Sequence, residues 1–125
     1  MSAPLPTFRL ATPRTITEAI AARRGHPTAR FIAGGTDLLV NMRRGISKTD
    51  LLIDLSDIEQ LAEFRSDDEG LTIGAGVTIA ALARSDLIAA RYRALAQAAA
   101  SIAGPGHRVM GTVGGNLCLD TRCIY

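Results

Sequence analysis

A chain of 125 residues that is 47% hydrophobic can bury the core of one domain, or of part of one, but not of two. Its 14 basic and 12 acidic residues leave a net charge of +2. The adjacent pairs Arg23-Arg24 and Arg43-Arg44 stand without interleaved aromatics, which argues against a nucleic-acid face.

No apolar run reaches the ~20 residues that span a bilayer, and no basic start leads into an apolar segment of the secretory kind. A cytoplasmic protein without a membrane span is expected. In that compartment Cys118 and Cys123 do not read as a structural disulfide.

Phe8-Arg9-Leu10 reads as a short strand. Thr15-Ile16-Thr17-Glu18 then has the form in which a threonine hydroxyl and a glutamate cover free N–H groups at a helix start. Ile16, Ala19, Ile20 and Ala22 give that helix an inner face, and Gly25 ends it. The run Ala29 to Ala33 predicts a buried strand that breaks at Gly34-Gly35, with a helix from Thr36 or Asp37 through Arg43. Leu51-Leu52-Ile53 is the next strand, so the order β-α-β-α-β predicts a small parallel sheet covered by helices.

The pattern changes near residue 60. Phe64-Arg65-Ser66 and Leu71-Thr72-Ile73, joined by Asp67-Asp68-Glu69-Gly70, form a predicted hairpin. Thr78 to Arg84 and Leu87 to Ser101 follow as helices rich in Ala and Leu, and Gly104-Pro105-Gly106-His107 reads as a loop. The division expected is residues 1–58 as a first lobe and 59–125 as the start of a second. The close at Cys123-Ile124-Tyr125, directly behind a glycine-rich motif, suggests a truncated domain.

Two segments carry the chemical signal: AGGTDLL from Ala33 and GTVGGNL from Gly111. A strand that ends in Gly-Gly and opens into a helix leaves backbone N–H groups unpaired at the helix start, where negative charge is favoured. Such a turn cradles phosphate, with Thr36 adding a hydroxyl and Asp37 either capping the turn or accepting from a ligand hydroxyl. Taken singly, each turn also reads as an ordinary helix entrance with Thr or Asp as N-cap. Taken together, the two suit a ligand with two linked phosphates. Neither has the Gly-Lys-Ser/Thr of a Walker loop or the Gly-x-Gly-x-x-Gly of a simple Rossmann domain. His107 and His26 lack a partner acid and read as hydrogen-bonding residues rather than bases.

In order and spacing, AGGTDLL, LTIGAGVTIAAL and GTVGGNL resemble the FAD-binding subunit or domain of the molybdenum hydroxylases, the family of xanthine dehydrogenase and carbon monoxide dehydrogenase. The resemblance runs from about Phe8 to the end. It implies an α+β fold of the p-cresol methylhydroxylase type: a two-lobed FAD-binding domain in which a small β-α-β parallel-sheet lobe is followed by a mixed α/β lobe. By motif position, Gly34, Gly35, Thr36 and Asp37 would hold the FAD diphosphate, with Ala33 and Leu38 flanking the cofactor. Thr112, Gly114, Gly115 and Asn116 would complete the grip.

The family further implies an electron-transfer role without catalytic acid or base here, and partner subunits carrying the molybdenum cofactor and a 2Fe-2S centre in a heterotrimer. Two departures matter. Gly106-His107-Arg108-Val109-Met110 stands where relatives often show an Arg-Asn pair. Asn116-Leu117-Cys118-Leu119-Asp120-Thr121-Arg122-Cys123 is similar to the β subunit of 4-hydroxybenzoyl-CoA reductases, which carries an additional 4Fe-4S cluster. That likeness would make Cys123 one of about four thiolate ligands and Cys118 a small buried residue, with the opposite assignment open. A non-redox module for nucleotide diphosphates and an inert truncated domain are the rival readings.

Overall fold

The computed structural model describes residues 3–119. Cys123, the expected iron ligand, lies outside the described residues. The first strand, β1 (Arg9–Ala11), leads to helix α1 (Ile16–Gly25), β2 (Arg30–Ile32), α2 (Leu38–Arg43) and β3 (Leu51–Asp54). All pairings are parallel and the order is β1-β3-β2, so the last strand of the unit lies in its middle.

That order corrects one expectation. The buried strand is β3, where Leu51, Leu52 and Ile53 are 6%, 0% and 0% exposed. β2 lies at the edge, with Arg30 exposed and Phe31 44% exposed. Composition could not separate them, because both runs are apolar and burial follows from sheet position.

Helix α1 begins as its sequence specifies, with Thr15 Oγ1 accepting from Glu18 N at 3.1 Å. Glu18 reaches one residue further back than a reciprocal box would, accepting from Arg14 N at 2.8 Å. Its inner face is narrower than expected: Ala19 is buried and Ala22 packs beside it, while Ile16 and Ile20 stay largely exposed. Ala19, Ala29, Leu51, Ile53 and Ile58 form the first core cluster.

A short 3-10 turn (Glu59–Ala62) leads into the hairpin β4 (Phe64–Asp67) and β5 (Gly70–Ile73). Asp67 Oδ1 accepts from the amides of Glu69 and Gly70 at 3.0 and 3.2 Å, which closes the turn that the Asp-Asp-Glu-Gly run predicts. Helices α3 (Ile79–Arg84), α4 (Asp86–Arg91) and α5 (Arg93–Ser101) follow.

The single helix expected from Leu87 to Ser101 is two, broken at Tyr92, whose backbone leaves the helical region at φ −135° and ψ 54°. The break lets Ile88 of α4 and Ala99 of α5 enter the same second cluster, with Val77, Ile79 and Leu82, and Tyr92 packs against it. No glycine or proline marks that break, so packing rather than propensity makes it.

The loop expected at residues 104–107 is instead the start of helix α6 (Pro105–Met110), with proline in the first turn where its missing N–H costs nothing. The second glycine segment likewise folds into a short helix, α7 (Val113–Leu117).

Candidate functional site

The loop between β2 and α2 is built around two glycines that do different things. Gly35 has φ +70°, the left-handed region that a side chain rarely tolerates. Gly34 faces the other segment: a Cβ there would overlap the carbonyl oxygen of Met110, at the end of α6. The loop is therefore seated on Met110-Gly111, and Thr36 Oγ1 lies 4.0 Å from where a Cβ on Gly111 would stand. Gly34 and Thr36 thus stand beside Met110-Gly111, where the second motif begins.

Among the described residues, the amides of Gly34, Gly35, Thr36, Asp37 and Leu38 have no backbone or side-chain acceptor. Five consecutive N–H groups are thus left without a partner, the donor set that an anion-binding loop requires. Helix α2 is only six residues long and adds little dipole. The free donors reside in the loop rather than in the helix.

Asp37 does not cap α2, contrary to one of its two sequence readings. Its Oδ2 accepts from Asn41 Nδ2 at 2.8 Å, and Asn41 is 5% exposed. The backbone carbonyl of Asn41 in turn accepts from the amides of Ile46 and Ser47. A buried amide, fixed by the turn behind it, therefore orients the carboxylate. Asn41 is a residue the sequence reading missed, although its signal was the i, i+4 spacing to Asp37.

The second glycine segment spends its amides internally. Val113 N donates to Val77 O and Gly114 N to Ala75 O, each at 2.8 Å. Gly115 N donates to Thr112 Oγ1 at 3.1 Å, and Asn116 N to Thr112 O at 2.9 Å. Thr112 is an N-cap, 8% exposed and paired across an isolated bridge with Thr78. Gly115 and Asn116 are exposed. What this segment can offer a ligand is the Asn116 side chain and the open surface at Gly115. Its amides are occupied, because α7 is docked on Gly74–Val77, a stretch the sequence reading used as motif but not as site.

Arg108 is also committed: its Nη1 donates to Ile102 O at 3.0 Å and Ala103 O at 2.8 Å, tying α6 to the end of α5. Cys118 is exposed rather than buried, since α7 ends there on an open face with Leu117 81% exposed. Among the described residues no three His, Cys, Asp or Glu side chains gather as a metal site, and no helix is long and apolar enough to cross a membrane.

Residues 6–123 match the family described as the FAD binding domain in molybdopterin dehydrogenase. The chain belongs to this family. Over 108 residues it is 36% identical to the xanthine dehydrogenase FAD-binding subunit of Escherichia coli O157:H7, covering 83% of this chain and 36% of that one. Over 112 residues it is 36% identical to the carbon monoxide dehydrogenase medium chain of Afipia carboxidovorans, covering 88% and 38%.

A crystal structure of a Cu,Mo-CO dehydrogenase superposes with a TM-score of 0.86 at 34% identity, over 90% of this chain and 40% of that one. Quinoline 2-oxidoreductase from Pseudomonas putida 86 gives 0.87 at 30% identity, over 91% and 40%. The chain therefore has the mixed α+β FAD-binding fold of these proteins, and it spans about two-fifths of the length of the relatives it matches.

The FAD-binding domain's loop fits the cofactor on its own terms. A diphosphate needs several N–H donors without competing acceptors, and the segment Gly34–Leu38 has them.

Proposed function

We propose that this chain holds FAD as the electron-transfer component of a molybdenum-containing oxidoreductase, and that the unpaired amides of Gly34 to Leu38 carry the cofactor's diphosphate. That run of free donors, in a chain of this family, is the observation that supports the reading. Bound FAD supplies reversible electron transfer at its isoalloxazine ring. The residues of this chain bind and orient it. Asp37, fixed by Asn41, accepts from a cofactor hydroxyl, Thr36 donates beside the diphosphate, and Ala33 and Leu38 flank it. Thr112, Gly114 and Gly115 shape the opposite wall, and Asn116 offers its amide from that side.

Residues 1–58 and 59–125 are proposed as the two lobes between which FAD lies, each with its own cluster of buried residues. Substrate chemistry belongs to a partner subunit with the molybdenum cofactor, and a further subunit carries a 2Fe-2S centre. The finer reading, a likeness to the 4-hydroxybenzoyl-CoA reductase β subunit, rests on Cys118, Asp120, Thr121, Arg122 and Cys123 standing behind the Gly-Gly-Asn motif.

One sample tests both levels. A visible spectrum of the purified protein, before and after acid release of cofactor, is expected to show flavin, and a colourless protein that takes up no added FAD would remove the main proposal. Iron assayed on the same sample separates the finer reading: about four irons per chain supports a cubane with Cys123 as ligand. Flavin without iron leaves an ordinary hydroxylase flavoprotein and overturns it.

A further inference from the structure

We infer that Gly34, Gly74 and Gly114 are positioning residues, whose missing side chains let three backbone segments close on one another and thereby fix the gap between the phosphate loop and the second glycine segment. The consequence for cofactor affinity rests on the proposed FAD role. The consequence for the protein alone does not.

The contacts form a circuit. At its first point, a Cβ on Gly34 would overlap Met110 O and stand 3.0 Å from Gly111 N. The Met110-Gly111 backbone cannot easily yield, because Gly111 N donates to His107 O at 2.6 Å and Gly111 O accepts from Ile79 N at 2.9 Å.

At the second point, a Cβ on Gly114 would stand 2.7 Å from Ala75 Cβ and 3.0 Å from Ala75 O, which already accepts from Gly114 N. At the third, a Cβ on Gly74 would overlap Leu61 O and lie 2.9 Å from Glu63 N. Gly74 N donates to Glu63 O at 2.6 Å and Gly76 N to Leu61 O at 2.7 Å. Leu61 packs against the first core cluster.

The circuit thus leaves the first lobe at Gly34, crosses Met110-Gly111, Gly114 and Gly74-Ala75, and closes through Leu61, whose side chain packs against the first lobe's core cluster. A second lobe pinned at two separated points cannot rotate about either as a hinge. Close-packed backbone has no room for an added methyl without displacement. The second glycine segment accordingly serves the site by placing a wall rather than by donating amides.

The test compares Gly34→Ala with Gly106→Ala, whose added Cβ meets nothing within 4 Å. Amide hydrogen exchange is followed in the FAD-free protein, and FAD binding is followed by flavin fluorescence titration. Gly34→Ala is expected to speed exchange at Ile79, Gly111 and Val113 by about tenfold and to weaken FAD by about tenfold, as local opening becomes easier. Gly106→Ala is expected to change neither.

If Gly34→Ala weakens FAD while exchange at those amides stays at the wild-type rate, Gly34 acts by touching the ligand and the inference is overturned. Should Gly34→Ala fail to fold, Gly114→Ala paired with Ala75→Gly decides. The second change removes the nearest atom, so it should recover at least about threefold of the lost protection, a coupling that independent sites do not show. Absence of recovery sinks the inference. A wild-type protein that binds no FAD defeats the proposed function, yet the exchange comparison still decides this one.

Discussion

The two glycine segments look alike as sequence and do opposite work in space. From Gly34 to Leu38 a run of N–H groups has no acceptor among the described residues, whereas between Thr112 and Asn116 the corresponding groups are consumed by Val77, Ala75 and Thr112. The difference arises from what lies behind each segment. The first loop follows an edge strand and leads into a six-residue helix, so nothing in the described residues competes for its donors. The second is laid against the Gly74–Val77 backbone, which pairs with it before any ligand arrives. A Gly-Gly motif therefore signals a close backbone approach, and the third dimension decides whether a ligand or another piece of the chain makes it.

The sharpest way to break this comparison is Gly35→Val. A branched side chain at φ +70° forces the loop out of its shape, and losing two charge-assisted hydrogen bonds to phosphate, about 3 kcal/mol, corresponds to roughly 100-fold weaker FAD binding. Flavin occupancy equal to wild type would remove the loop from the site.

A smaller effect is expected of Asn41→Leu, which keeps the γ-branched shape of the side chain but leaves Asp37 without its partner. FAD affinity should fall about tenfold, in line with one hydrogen bond, with unfolding temperature little changed. A large drop in unfolding temperature without loss of affinity would assign Asn41 to the fold alone.

The mildest is Thr112→Val, which removes the hydroxyl that accepts from Gly115 N. Loss of an N-cap costs about 1 kcal/mol of stability. Urea denaturation should register it, while FAD affinity changes by less than about threefold. A larger loss of affinity than of stability would make the Thr112 hydroxyl a ligand contact and erase the contrast between the segments.

Much of the fold was legible because its signals are local. Thr15 and Glu18 start α1, Asp67 closes the hairpin turn, and the strand-helix alternation gives the parallel sheet. The misreadings share a cause. Ile16 and Ile20 stand exposed, β2 lies at an edge, and the helix through residue 92 is broken because burial and continuity there are settled by neighbours far away in sequence. The proposed site divides in the same way. Asp37 and Thr36 were legible as polar groups beside a glycine turn, but Asn41 holding Asp37, and Met110 seating Gly34, follow from helix phase and lobe packing.

What the sequence by itself determined is the strand-helix alternation of the first sheet and the hairpin behind it, the family resemblance, and the places where the backbone must pass close to something. Those properties depend on residue type and spacing, and glycine and threonine announce them directly. What the tertiary structure alone decided is the partner at each close approach: the Leu39 and Ile32 side chains at Gly35, the Met110 carbonyl at Gly34, and Ala75 at Gly114. A missing Cβ is written in the chain, but the atom that occupies its place comes from a segment brought there only by folding.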